Sequence, residues 1–143
     1  MADVFNDYNR QICLVFAEIE AAQHEVALKL GLTDSAMLIL YNVYLGGGSC
    51  LLSDITLWAS KQTINSALRK LEAEGVVRLE IFSGRKKQVV LTEKGRELTQ
   101  STVRRWIQKE NEIADELTQE ERDLYLELTR RYLTGVKEKL REL

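Results

Sequence analysis

Between Ser60 and Leu91 the spacing of apolar residues changes once, and that change restricts the fold more than any other feature of the chain. From Ser60 to Glu74 the apolar residues Ile64, Ala67, Leu68 and Leu71 fall at i, i+3, i+4, i+7, the stripe of a helix lying on a core. Ser60 is placed to cap its start and Gly75 to close it. Directly afterwards Val77, Leu79 and Ile81 alternate with Arg78 and Glu80, Ser83-Gly84 offers a turn, and Gln88 to Leu91 returns as a second strand. The spacing therefore predicts a helix joined through one glycine to a hairpin, Val76 to Phe82 and Gln88 to Leu91, with Arg85, Lys86 and Lys87 at its tip.

The flanking segments are helical in pattern. Upstream, Leu51 to Ala59 reads as a short helix with Leu51, Leu52, Ile55 and Trp58 apolar, so that with the helix after it the chain forms a helix-turn-helix. Thr33 caps a helix from Asp34 to Leu45 that turns Ile39, Leu40 and Val43 inward and stops at Gly46-Gly47-Gly48. A long first helix carries Val4, Phe5, Tyr8, Ile12, Val15, Phe16, Ile19, Val26, Ala27 and Leu30 and ends at Gly31. Thr92 caps a helix to about Leu117 through Leu98, Val103, Trp106, Ile107 and Ile113. The capping box Thr118-x-x-Glu121 opens a last helix along Tyr125, Leu128, Tyr132, Val136 and Leu140. With 0 prolines in 143 residues, nothing in the composition breaks these helices. The expected fold is mainly α with a small two-stranded β wing: a winged helix-turn-helix over 33–92, flanked by long dimerisation helices, 1–32 and 93–143, in one intertwined domain. The terminal stripes are too extensive for so small a chain to cover, so a second copy of the chain is the expected partner.

Charge is distributed unevenly. The chain is -2 overall, yet between Leu51 and Thr92 seven basic residues face four acidic ones. On the helix 60–74 the face opposite the apolar stripe is Gln62, Asn65, Ser66 and Arg69, flanked by Lys61, Thr63 and Lys70. Such side chains suit base edges and phosphates, and equally an ordinary solvated surface. The basic hairpin beside them decides between the two, because it would reach the backbone or minor groove of the same duplex. The candidate DNA-binding set is Ser60, Lys61, Gln62, Thr63, Asn65, Ser66, Arg69, Arg85, Lys86 and Lys87.

Other chemistry lacks its residues. The 2 cysteines, Cys13 and Cys50, form no C-x-x-C pair, and the 1 histidine, His24, has no ligand-spaced neighbour, so neither a disulfide scaffold nor a zinc site is expected. Cys13, between Ile12 and Leu14, reads as a small buried apolar residue, and His24 as a surface or satisfied core residue. There is no G-x-S-x-G and no H-E-x-x-H, and Gly46 to Gly48 lack the lysine and hydroxyl residue of a phosphate loop. The chain is expected to be no enzyme and to need no cofactor or metal. No apolar run approaches the roughly 18 residues of a membrane span, and the first residues lack a signal-type core, so a cytoplasmic location without a membrane is expected.

Leu32-Thr33, the run SKQTINSALRKLEAEGVV from Ser60 to Val77 and the run QVVLTEKG from Gln88 to Gly95 together resemble the multiple antibiotic resistance regulator (MarR) family of winged-helix regulators. The resemblance implies a homodimeric transcriptional repressor on a pseudo-palindromic operator, with helix 60–74 of each copy in the major groove and wing 82–88 at the minor groove. It matches Arg85 to the wing arginine, and Gln62, Thr63, Asn65, Ser66 and Arg69 to base- and phosphate-facing positions. It also implies release by a small aromatic effector, for which Tyr41, Tyr44 and Trp106 are the candidate residues. Two alternatives stand beside it: a peroxide sensor acting through Cys13, as in members with a first-helix cysteine, and a winged helix that binds an acidic protein. The chain departs from the family pattern twice. Ser83 replaces the acidic residue two before the wing arginine, and Ile55-Thr56-Leu57-Trp58-Ala59 replaces a leucine-alanine pair and turn glycine.

Overall fold

The structure, a computed structural model, describes residues 7–143; Val4 and Phe5 of the expected first helix lie outside the described residues. In chain order the elements are α1 (Asp7–Lys29), α2 (Asp34–Leu45), β1 (Ser49–Leu51), α3 (Leu52–Ile55), α4 (Lys61–Ala73), β2 (Val77–Ser83), β3 (Lys86–Leu91), α5 (Glu93–Ser101), α6 (Val103–Asp115) and α7 (Gln119–Leu140). They divide into two compact units, one through Trp106 and one from Ile107 to Leu143.

The helix starts follow local chemistry. The hydroxyls of Thr33, Ser60, Thr92 and Thr118 accept from the backbone N–H of Ala36, Thr63, Gly95 and Glu121 at 3.1–3.2 Å. Each gives an acceptor to an otherwise orphaned backbone donor and is worth about 1 kcal/mol. At Thr118 the Glu121 carboxylate also accepts from the Thr118 N–H, 2.9 Å, completing the capping box.

Four expectations are corrected. The sheet has three strands, in the order β1-β3-β2, not two. β1 pairs antiparallel with β3 through Ser49–Val90, Cys50–Val89 and Leu51–Gln88, and the Leu91 N–H donates to Gly48 O at 2.9 Å. A three-residue strand is too short to display alternation, and its partner is distant in sequence. β1 also takes Leu51 from the expected helix 51–59, leaving only Leu52–Ile55 helical and Leu57 and Trp58 beyond it, exposed.

At the hairpin, β3 begins at Lys86, so the turn is Gly84-Arg85 and Lys86 and Lys87 stand on the strand instead of at the tip. The helix expected from Thr92 to about Leu117 is two helices, broken at Thr102 (φ -124°, ψ -88°). Thr99 Oγ1, Ser101 Oγ and Thr102 Oγ1 donate to the carbonyls of Arg96, Leu98 and Leu98 at 2.6–3.0 Å, competing with the helical ladder. The apolar spacing through Leu98, Val103 and Trp106 runs straight across the break and hides it.

In the first unit, α2 contributes Ile39, Leu40 and Val43, α3 contributes Ile55, α4 contributes Ile64, Leu68 and Leu71, and the sheet contributes Val77, Val89 and Leu91, all buried. α1 buries only Ala27, while Tyr8, Leu14, Val15, Phe16, Ile19 and Leu28 are exposed. In the second unit, Arg122 of α7 donates to Ala114 O at 3.0 Å and pairs with Asp115 at 3.5 Å, clasping the turn before the helix. No residue of α7 is buried, and Tyr125, Leu128, Tyr132, Val136 and Leu140 stand exposed. No single helix among the described residues is long and apolar enough to cross a membrane.

Candidate nucleic-acid interface

α4 presents two chemically distinct sides. Ile64, Leu68 and Leu71 are buried against the core, and Lys61, Gln62, Thr63, Asn65, Ser66 and Arg69 are all exposed. The side chains of Gln62, Asn65, Ser66 and Arg69 have no hydrogen-bond partner among the described residues, so their donors and acceptors face solvent unspent. Ser60 and Thr63 differ. Ser60 Oγ accepts from the Thr63 N–H at 3.2 Å, and the two hydroxyls share a hydrogen bond at 2.8 Å, so both are partly committed to capping the helix.

The wing is the β2–β3 hairpin. Its pairs run from Val77–Leu91 to Ile81–Lys87 and then Ser83–Lys86, leaving Phe82 as the extra residue of a bulge. Arg85, Lys86 and Lys87 are exposed and make no ion pair or side-chain hydrogen bond among the described residues. The one carboxylate of the hairpin, Glu80, is engaged nearer its base. Arg78 Nε donates to Glu80 Oε1 at 2.6 Å, and Gln88 Nε2 donates to Glu80 Oε2 at 3.3 Å. The Arg78 hydrogen bond, aided by that guanidinium's charge and by Gln88 against partial desolvation, holds the Glu80 carboxyl below the usual carboxylate range. With Ser83 in place of an acid, the positive charge of Arg85 is left unneutralised at the turn.

What ties wing to helix is the junction that the Leu-Thr-x-x-Gly run forms. Gly75 takes the left-handed conformation (φ 73°) after α4, and the Val76 N–H closes back on Leu71 O at 2.9 Å. Thr92 then bridges to this turn: its N–H donates to Val76 O at 3.1 Å, and its hydroxyl lies within donating distance of both Gly75 O and Val76 O. Lys94 Nζ donates to Glu74 O at 2.7 Å. Gly95 is buried because the start of α5 lies against the Val76 carbonyl, where a Cβ would come within 2.0 Å of the oxygen. The end of α4, the root of β2 and the end of β3 are thereby fastened at one point.

No protein-family model and no curated protein matches the sequence. Solved structures do. A MepR–DNA complex from S. aureus superposes with a TM-score of 0.66 at 18% identity, over 92% of this chain and 98% of that one. NadR in complex with 4-hydroxyphenylacetate gives 0.70 at 15% identity, over 92% and 96%. A MarR-family transcriptional regulator from Silicibacter pomeroyi gives 0.66 at 20% identity, over 88% and 87%. The chain has the MarR winged-helix fold.

Within this MarR fold the remaining candidate residues are placed as follows. Tyr41, Tyr44 and Trp106 are half-buried in the first unit. A groove in the second unit runs along α7 beside Leu126, Arg130, Thr134 and Gly135 and includes none of the three. His24 Nδ1 lies 2.7 Å from the Asp34 carboxylate, an exposed pair joining α1 to the first turn of α2. Cys13 is exposed, not buried as its neighbours in sequence suggested. Cys50, in β1, is half-buried; burial, with a smaller contribution from Asp54, pushes its thiol up to about 11. Its alkylation by iodoacetamide should therefore keep accelerating about tenfold per pH unit past pH 9, where an ordinary thiol levels off. Peptide mapping by mass spectrometry reads this, and a plateau near pH 9 would contradict it. Sequence reasoning did not single out four exposed apolar residues that flank the two surfaces in sequence, Leu57 and Trp58 before α4 and Ile81 and Phe82 in the wing. The departure from the family pattern at Ile55 to Ala59 was the available signal for the first pair.

Proposed function

We propose that this chain is a sequence-specific, double-stranded-DNA-binding transcriptional regulator, a repressor that acts as a homodimer on a pseudo-palindromic operator. The observation that carries the reading is the pair of solvent-facing surfaces with unspent side chains, one face of α4 and the basic wing, fastened together at the Thr92–Gly95 junction. A helix bearing Gln62, Asn65 and Arg69 offers paired hydrogen bonds to adenine and guanine edges in the major groove. Arg85, Lys86 and Lys87 offer charge to the adjoining backbone and minor groove. MepR, which shares the fold, has been captured on DNA, and this supports the reading.

A repressor of this kind is neither an enzyme nor a membrane protein, and it would work in the cytoplasm. NadR has been captured with 4-hydroxyphenylacetate. That complex supports an effector of this chemistry, and the reading places a small aromatic effector near Tyr41, Tyr44 and Trp106. Selection of bound sequences from a random duplex pool tests the central reading. Enrichment of a two-half-site motif, with steeply salt-dependent binding, is the expected result; a winged helix serving an acidic protein would enrich nothing.

The dimer is assigned to residues 1–32 and 93–143. α1 and α7 leave their stripes of large apolar side chains exposed, an amount that soluble monomers rarely tolerate. Sedimentation at micromolar concentration should give twice the mass of the chain. Leu128→Glu with Tyr132→Glu should give the monomer, and a wild-type monomer would remove the paired half-sites.

A further inference from the structure

The wing holds two large apolar side chains that stand mostly in solvent among the described residues. Ile81 is 75% and Phe82 58% exposed, although both belong to β2. The bulge accounts for their being consecutive: Phe82 is inserted between the pairs Ile81–Lys87 and Ser83–Lys86, which interrupts the alternation of faces and bends the strand. Exposed apolar residues scattered singly are ordinary. These two are instead adjacent to each other and to Arg85, Lys86 and Lys87, none of which is neutralised by an ion pair among the described residues. The surface they fit is anionic at its rim and apolar within. The duplex minor groove, with phosphates on its walls and apolar base faces reached where a base step at its floor is parted, offers that chemistry, and α4 is fastened to the root of the same hairpin.

We propose that Phe82 is an apolar wedge, which enters the minor groove beside Arg85, parts one base step and kinks the duplex. This rests on the duplex-binding reading above. The small, neutral Ser83 suits it, because a carboxylate there would bring negative charge to the phosphate walls next to the ring. Parting a step is least costly at pyrimidine–purine steps, so the flanks of the bound site should favour TA or CA/TG where the wing lies.

The test uses the full-length protein and a duplex recovered from the random pool, with a dye pair at its ends and 2-aminopurine placed at successive flank positions. Wild type should bend the duplex by about 20–90° and raise the fluorescence of one flank position as it unstacks. Phe82→Ala should still bind, with both signals reduced; Phe82→Leu, which keeps a wedge, should restore them. Position 82 is exposed, and circular dichroism confirms that each variant is folded. A duplex bent equally by wild type and Phe82→Ala would overturn the wedge. So would loss of binding to phosphatidylserine-containing vesicles in Phe82→Ala with the bend unchanged, which would give the ring to a lipid surface. The two layers fail differently: no enriched duplex removes the DNA-binding reading and the wedge together, whereas an enriched but straight duplex removes the wedge alone.

Discussion

Gly95→Ala should lower the thermal unfolding midpoint of the protein by roughly 10 °C. An added Cβ would sit 2.0 Å from Val76 O and 3.1 Å from Leu91 Cδ2. Neither neighbour can give way cheaply. The Val76 carbonyl already accepts from the Thr92 N–H, and Val76 and Leu91 are both buried. Forcing a methyl into such a contact costs about 3 kcal/mol or more. At about 2–4 °C per kcal/mol for a chain of this size, the shift follows. Because the same contact fastens wing to α4, duplex binding should weaken beyond what the unfolded fraction explains. Melting followed by circular dichroism decides it, and a shift of only a degree or two would mean that α5 can move away from β2.

The recognition surfaces should separate by what each can know of sequence. Arg69→Ala and Asn65→Ala should cost about 1–3 kcal/mol on the selected duplex, roughly 5- to 150-fold, and much less on random duplex, because only base-edge contacts carry identity. Lys86→Ala and Lys87→Ala should weaken both duplexes alike and flatten the salt dependence by roughly one unit of slope for each phosphate no longer neutralised. Arg85→Ala should fall between, since a narrow A·T-rich minor groove attracts arginine by shape and potential. All these side chains are exposed and without partners among the described residues, so the losses report on binding instead of stability. Binding isotherms on both duplexes at several salt concentrations provide the measurement. Equal losses on both duplexes for every α4 variant would show that the helix does not read bases.

Local signals carried most of the fold. The hydroxyl caps at Thr33, Ser60, Thr92 and Thr118 set helix starts to the residue, and the stripe Ile64, Leu68, Leu71 assigned the buried side of α4 and hence its outward face. What escaped depended on distant partners or competing short-range bonds. β1 exists only because β3 lies beside it, and Thr102 interrupts a helix whose apolar spacing never falters. Trp58 fits a helical stripe on paper, but β1 takes the first residue of that helix and α3 ends at Ile55, leaving the indole in solvent. Lys86 and Lys87 fall on the strand and not at the tip because the length of a hairpin turn is set by pairing across strands, which charge patterning does not reveal. The exposure of Cys13 in α1 escaped for a related reason: its apolar neighbours belong to a face that the chain itself does not cover.

β3 is flanked on both sides only from Gln88 to Val90, where β1 and β2 both pair with it; beyond Gln88 toward the turn, β2 alone accompanies it. Mechanically the wing is a cantilever: a clamped three-strand root in the core and a free two-strand arm. Compliance is then confined to the arm, and the arm holds few contacts that the core needs. Substitutions at Phe82, Ser83 and Arg85 to Lys87, but not at Gly84 with its positive φ of 57°, can re-aim the tip while stability moves by only about 0.5 kcal/mol, as is usual for exposed positions. A lineage built on this plan can therefore retune which groove shape its tip accepts while leaving folding under separate control, at the other end of the same strand.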